Sequence, residues 1–273
     1  MSQLSFFDAP DVVITPAVPA QGQAAARALP TVVTAPVRKV RGKTRQAFID
    51  EFRQTAPYLR RSEVFRDFVT LVASELDLVR IHTPESRARC SQITARYKPE
   101  DIDRMHTLFS LMVAALSEAH QDFLGSIYME LELGADEMGQ YFTPHSVSSL
   151  LAQLAAGDLL AQLKSCPFIS LQEPTSGAGG MVIAFAEIML QAGLNPATQL
   201  QVTTIDIDPL AADMTFVQLS LLGIPAMVNT GNTLTLQMNL TRYTPVWFFN
   251  DWPERIRSHE RIQAMRAFMT TIA

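Results

Sequence analysis

Along the C-terminal half of the chain the spacing of apolar residues alternates between strand-like and helix-like. Phe168-Ile169-Ser170-Leu171 is a short apolar run of strand type that stops at Glu173 and Pro174. After Gly177, Gly179 and Gly180 a helix must begin, with Val182, Phe185, Ala186, Met189 and Leu190 on its apolar face and Gly193 as its stop. Val202 to Ile205 predicts a second strand, ending at Asp206. Asp208 and Pro209 open the next helix, and Gly223 closes it ahead of Pro225. Ala226 to Asn229 predicts a third strand. Val246-Trp247-Phe248-Phe249 predicts a fourth, because four consecutive apolar residues suit a strand buried on both faces. Residues 253–273 read as one helix with Ile256, Ile262, Met265, Ala267 and Phe268 on one side. Strand alternating with helix predicts an α/β fold with a parallel sheet of about four strands.

Upstream the period is helical throughout. Phe48 and Phe52 lie one turn apart before Pro57, and Ser62 can cap a helix striped with Val64, Phe65, Phe68, Leu71, Val72 and Leu76. Pro84 and Pro99 each suit a first helical turn. Met105, Leu108, Phe109, Met112, Leu116, Phe123 and Leu124 supply a core face, and Thr143-Pro144 starts a helix that runs to Gly157. Residues 1–43 hold five prolines among Ala, Val, Gln and Thr and keep no period, which predicts a disordered tail. The expected organisation is therefore a tail (1–43), a helical domain (44–138) and an α/β domain (139–273).

Composition narrows the functional classes. A net charge of −5 over 273 residues gives no global attraction to nucleic acid, so any such contact needs a local patch. Arg38, Lys39, Arg41, Lys43 and Arg45 could form one, as could Arg60, Arg61, Arg87, Arg89 and Arg96, although such charges are more often a solvated helix face. The two cysteines and five histidines have neither disulfide nor metal-ligand spacing, which suits a cytoplasmic protein without a metal site. No apolar run approaches the roughly 18 residues of a membrane span, and no signal peptide is expected.

The chemistry concentrates between Leu171 and Asp208. Glycines let a ligand approach the backbone, and a helix N-terminus leaves amides free to meet a polar group. Asp206, at a strand's carboxyl end, can accept both hydroxyls of a ribose. Strand, glycine turn, helix, strand and acid make a half-site for a nucleoside. The dinucleotide pattern G-x-G-x-x-G fails, because Val182 stands at its third glycine position. E-P-T-S-G-A-G-G (Glu173 to Gly180) instead resembles the D-P-x-C-G-(S/T)-G-G signature of adenine-N6 DNA methyltransferases related to the modification subunits of type I restriction systems. G-Q-Y-F-T-P (Gly139 to Pro144) is similar to that family's G-Q-F-F-T-P segment. D-F-L-G-S-I-Y-M-E-L-E-L-G (Asp122 to Gly134) and G-N-T-L (Gly231 to Leu234) extend the likeness over residues 45–255.

The resemblance implies a Rossmann-like class I methyltransferase sheet and S-adenosyl-L-methionine as cofactor. It would be held by Glu173, Thr175, Ser176, Gly177, Gly179, Gly180, Asp206 and Ile207, with Gln140, Tyr141, Phe142, Thr143 and Pro144 closing over it and Asn232 at the adenine edge. It further implies N6-adenine methylation of DNA, single- or double-stranded, or of RNA, with low sequence specificity, in a phage- or plasmid-borne protein. The family's (D/N/S)-P-P-(Y/F/W) motif places the flipped base, its polar side chain and a carbonyl accepting the amine hydrogens while the aromatic stacks. Here the segment reads Asn250-Asp251-Trp252-Pro253, without the paired prolines and with the aromatic one residue early. Two alternatives stay open: a working variant in which Asn250 accepts, Trp252 stacks and Asp251 assists, or a silent site in a cofactor-binding interaction protein, such as a restriction decoy or a subunit awaiting a partner. The fourth strand would be a sheet edge covered by the last helix, a partner chain or a second copy. At the N-terminus, Gln3, Leu4, Ser5, Phe6 and Phe7 resemble the peptide by which bacterial replication proteins hold the sliding clamp.

Overall fold

A computed structural model describes residues 41–133 and 142–272 of the chain. Five helices come first: α1 (Arg41–Gln54), α2 (Arg61–Leu76), α3 (Pro84–Thr94), α4 (Pro99–Glu118) and α5 (Phe123–Glu130). After the segment 134–141 come α6 (His145–Ala156), α7 (Leu159–Ser165), β1 (Ile169–Glu173), α8 (Gly180–Gln191), α9 (Pro196–Gln199), β2 (Leu200–Asp206), α10 (Pro209–Leu221) and β3 (Ala226–Asn232). The described chain closes with β4 (Gln237–Tyr243), α11 (Pro245–Phe249) and α12 (Trp252–Ile272). The clamp-like residues Gln3 to Phe7, the tail as a whole, and Gln140 and Tyr141 lie outside the described residues.

The four strands pair in the order β1-β2-β3-β4. β1, β2 and β3 are parallel, with Leu171 opposite Val202 and Val202 opposite Ala226, so the α/β expectation holds for these three. The fourth strand differs in place and direction. β4 runs antiparallel to β3, with Met227 opposite Tyr243 and a bulge at Thr230/Gly231, whereas Val246 to Phe249 lie in a short helix. A short apolar run cannot by its period separate strand from buried helix. Pro245 decides it, standing at the first helical position with a fixed φ and no N–H to give a ladder.

Helices α8 and α10 cover one face of the sheet. Leu200, Val202, Ala226 and Val228 point into a core shared with Val182, Phe185, Met189, Phe216 and Val217. The opposite face is polar: Ser170 and Gln172 are exposed, and Gln201 and Thr203 are half-buried and bonded to each other. A parallel sheet normally has apolar strands covered on both faces, so this alternation marks a two-layer arrangement. Among the described residues, its lower end carries a second small core, of Phe168, Trp247 and Trp252.

The main core runs without a break from Phe48 in α1 to Val228 in β3. Several charged side chains that resembled phosphate contacts are consumed in building it. Arg45 binds Ser126 and Glu130, Arg61 closes the carbonyls of Phe52 and Thr55 at 3.0 and 2.8 Å, and Arg96 pairs with Asp67. Thr143 does not cap α6; Pro144 occupies that position without a side-chain bond. Between the helical part and the sheet, Arg242 of β4 reaches Asp213 of α10 and lies 3.6 Å from Asp77, while Thr70 of α2 donates to Asp213 at 3.2 Å. All these groups are buried.

Removing one member of such a buried cluster strands the opposite charge. Arg242→Ala should lower stability by about 3–5 kcal/mol in urea unfolding, since Asp213 and Asp77 both lose their cation. Asp213→Asn leaves Arg242 beside Asp77 and should cost clearly less. Equal losses in the two variants would show that charge pairing is not what the cluster supplies.

Candidate functional site

The site forms where β1 ends and α8 begins. Residues 173–180 must reverse from strand to helix within a few residues, and Gly177 (φ 54°) and Gly179 (φ 88°) take the left-handed conformations this bend requires. Their backbone groups are satisfied from the next strand and helix. Gly177 N–H donates to Asp206 Oδ2 at 2.7 Å, Ser176 N–H to the Ile205 carbonyl at 2.9 Å, and Thr215 Oγ1 of α10 to the Gly177 carbonyl at 2.8 Å. The glycine turn and the acid ending β2 are thus in direct contact.

Asp206 is half-buried, and its second oxygen accepts the Asp208 N–H at 2.9 Å. Burial pushes its carboxyl above the usual aspartate range, although these amide bonds oppose the shift. Each carboxylate oxygen keeps a lone pair beyond its backbone bond, so two hydroxyls can still be accepted. Glu173 takes the Thr175 N–H at 3.1 Å and the Thr175 hydroxyl on one oxygen, and this leaves the other for a cationic group. Ile207, beside the acid, is two-thirds exposed and offers an apolar flank. Asn232 closes the third strand; its Oδ1 accepts the Leu234 and Thr235 amides at 2.8 and 3.2 Å, which leaves its amide nitrogen as a donor. Thr233 next to it bonds the Pro174 carbonyl and ties this turn to the glycine turn.

Phe142 is brought to the same place. A Cβ built at Gly177 would lie 3.0 Å from its ring, and the ring packs edge-on against Tyr128 of α5 with centroids 5.3 Å apart. Thr143 and Pro144 follow it at the surface.

Three residues outside the predicted set hold the turn from behind. Gln218 of α10 donates to the Ala178 carbonyl at 2.7 Å and to Asp122 Oδ1 at 2.8 Å, and accepts the Leu124 N–H at 2.9 Å. Asp122 caps α5 through Gly125 N–H at 2.8 Å, and it stands so close to Gly180 that a Cβ there would meet Oδ2 at 3.2 Å. Burial raises its carboxyl. Thr215 completes the set. The local cue was the Asp-x-x-Gly cap in D-F-L-G; nothing in sequence spacing links Asp122 to Gln218.

Asn250, Asp251, Trp252 and Pro253, the residues read as catalytic in the sequence, are not brought to the glycine turn. Trp252 is fully buried; its indole N–H donates to the Ala197 carbonyl at 3.1 Å, and Asn250 Nδ2 donates to the same oxygen at 2.9 Å. Ala197 precedes β2, and Trp252 stacks edge-on against Phe168, which precedes β1. These residues therefore sit at the amino ends of the strands, on the order of 20 Å from the glycine turn at the rise of a strand. The physical reason is the helix at Pro245, which turns the chain under the sheet instead of leading up through it. Asp251 and Pro253 belong to the same bend, Asp251 with φ 49°. A groove of about 360 Å³ between Phe168 and α12, with His259 and Ile262 in its wall, lies at this lower end too. Among the described residues no cluster of His, Cys, Asp and Glu could hold a metal, and no helix is long and apolar enough to cross a membrane.

Gly177→Ala should lower stability by about 1–2 kcal/mol, because alanine is strained at positive φ and its Cβ presses on Phe142. Adding Phe142→Ala should recover the steric part only. The double variant is then less destabilised than the sum of the singles by at least about 0.5 kcal/mol in urea unfolding, and strict additivity would show that the ring does not press on the turn.

The model of the family N-6 DNA Methylase matches residues 119–245, which contain Asp122, Phe142, the glycine turn, Asp206, Gln218 and Asn232. No curated protein matches the chain. Among solved structures it is similar to a protein described as a class I S-adenosylmethionine-dependent methyltransferase from Listeria monocytogenes, at 12% identity and a TM-score of 0.42 over 71% of this chain and 55% of that one. It is also similar to the type I restriction-modification system methyltransferase subunit from Streptococcus thermophilus, at 14% identity and a TM-score of 0.42 over 71% of this chain and 59% of that one. The chain thus spans between half and two thirds of the length of these structures. Residues 119–245 are thus similar to the N-6 DNA Methylase family.

Proposed function

We propose that the chain binds S-adenosyl-L-methionine at the glycine turn and serves N6-adenine methylation of DNA, with the groups that place the target base supplied by another chain. The observation that carries this reading is the Gly177 N–H to Asp206 bond, which joins a glycine cradle and a ribose-accepting carboxylate in one site. The residues fit the cofactor. Asp206 accepts the ribose hydroxyls, Ile207 flanks the adenine, Asn232 donates to its ring edge, and Glu173 with the Thr175–Gly180 turn receives the methionine end, which Phe142 to Pro144 flank. When bound, the cofactor supplies an electrophilic methyl group on sulfur.

A partner is invoked because Asn250 and Trp252 are engaged with Ala197 at the far end of the sheet. Base placing needs an acceptor within hydrogen-bond reach of the amine and an aromatic free to stack, and neither condition holds for them there. Sequence choice would then also rest with the partner, and the chain by itself would show little preference.

Calorimetry with the cofactor or its demethylated product should show binding to the wild type and at least a tenfold loss in Asp206→Ala, with Asn250→Ala unchanged. Affinity should fall on acidification from a pH above the usual aspartate range, because the raised Asp206 carboxyl takes up a proton early and the neutral acid accepts less well. No heat with either ligand would end the proposal. Transfer of labelled methyl groups to unmethylated DNA by this chain alone, abolished in Asn250→Ala, would instead establish the self-sufficient variant with a working N-D-W-P segment.

A further inference from the structure

The groove at the amino ends of the strands is a second concave site, and the glycine turn makes no use of it. Its volume of about 360 Å³ lies at the small end of the range that holds organic ligands. One wall is a single face of α12, because Arg255, His259, Ile262 and Arg266 follow one another at i, i+4, i+7 and i+11 and all line the groove. The other wall is the turn before β1, where Pro167 and Phe168 supply apolar surface.

The charge in the groove runs against that of the chain. Two guanidinium groups and an imidazole line it, and among the described residues no Asp or Glu does, although the chain carries a net charge of −5. The carboxylates of α12 are directed elsewhere. Glu254 accepts bonds from Arg257 at 2.9 Å and from Ser258 Oγ at 3.0 Å, and Glu260, two residues before Ile262, projects from the opposite side of the helix. Cations over an apolar floor, with no carboxylate to answer them, suit an anion carried on an apolar body.

Two of the cationic and polar groups are held in place in advance. Arg255 lies over the Trp252 ring at 4.1 Å and donates to the Thr198 carbonyl, which leaves its remaining N–H groups for a ligand. The His259 ring stands edge-on to Phe168 with centroids 5.3 Å apart, and its Nε2 lies 3.7 Å from Cys166 Sγ. Groups fixed before binding lose little freedom when a ligand arrives. Arg266, at the outer end, is exposed and meets no carboxylate among the described residues. Guanidinium and imidazole groups also present flat faces, on which an aromatic ring packs better than an alkyl chain.

We infer that this groove binds a small aromatic anion, with its ring against Pro167, Phe168 and Ile262 and its charged group met by Arg255, His259 and Arg266. The inference does not rest on the proposed cofactor site. In calorimetry with the full chain, naphthalene-2-sulfonate should bind, and the neutral 2-naphthalenemethanol should bind roughly tenfold more weakly. Arg266→Gln, an exposed change, should weaken the sulfonate by about fivefold, and adding His259→Gln should bring the loss to about tenfold or more. The affinity of both variants for S-adenosyl-L-methionine should stay that of the wild type, so the two sites are read separately. Equal affinity for the charged and neutral probes, unchanged sulfonate binding in Arg266→Gln, or no heat with the sulfonate at all would each overturn the inference.

Discussion

One hydrogen bond organises the candidate site of this molecule: the amide of Gly177 given to the carboxylate of Asp206. A strand-to-helix reversal leaves several amides without partners, and a carboxylate half out of water needs donors. Each solves the problem of the other. The bond also fixes the spacing between β1 and β2 at their carboxyl ends, so the cradle and the acid keep one geometry before any ligand arrives. The raised carboxyl of Asp206 records the cost of holding charge there.

Behind that bond, α10 holds the turn in place. Thr215 takes the Gly177 carbonyl and Gln218 takes that of Ala178, and Gln218 then reaches Asp122 at the head of α5. The helical segment is therefore part of the site's support. Phe142 makes the same connection from the front, leaning on Tyr128 while it covers Gly177. A change in the packing of α5 would be felt at the glycine turn through both routes.

The opposite end of the sheet works on different terms. There Trp247 and Trp252 close a small core over Phe168, and the polar side chains of Asn250 and Trp252 are spent on a single carbonyl. A buried indole with a satisfied N–H is stable core, and moving it to a solvent-facing stacking role would leave the Ala197 carbonyl unpaired and a cavity behind. That is why the segment that most resembled a catalytic motif contributes to folding in this arrangement. The uncovered polar face shows that the sheet is built in two layers, with apolar cover concentrated on the α8/α10 side.

The sequence by itself determined the elements whose signals are local. Glycines spaced for a left-handed bend, an acid at a strand end, Asp208 and Pro209 at a helix start, and the apolar stripes of α2, α4 and α8 all report backbone preferences and burial within a few residues. The pairing of Gly177 with Asp206 was legible because strand, turn, helix and strand leave few ways to connect. Only the tertiary structure decided the remainder. Whether Val246 to Phe249 form strand or helix depends on Pro245 and on what lies beneath the sheet, and the end at which Trp252 is buried depends on Phe168 and Ala197 far away in the chain. The link from Asp122 to Gln218 has no sequence period at all, since it arises only when two helices from distant segments pack, and distance along the chain carries no record of that contact.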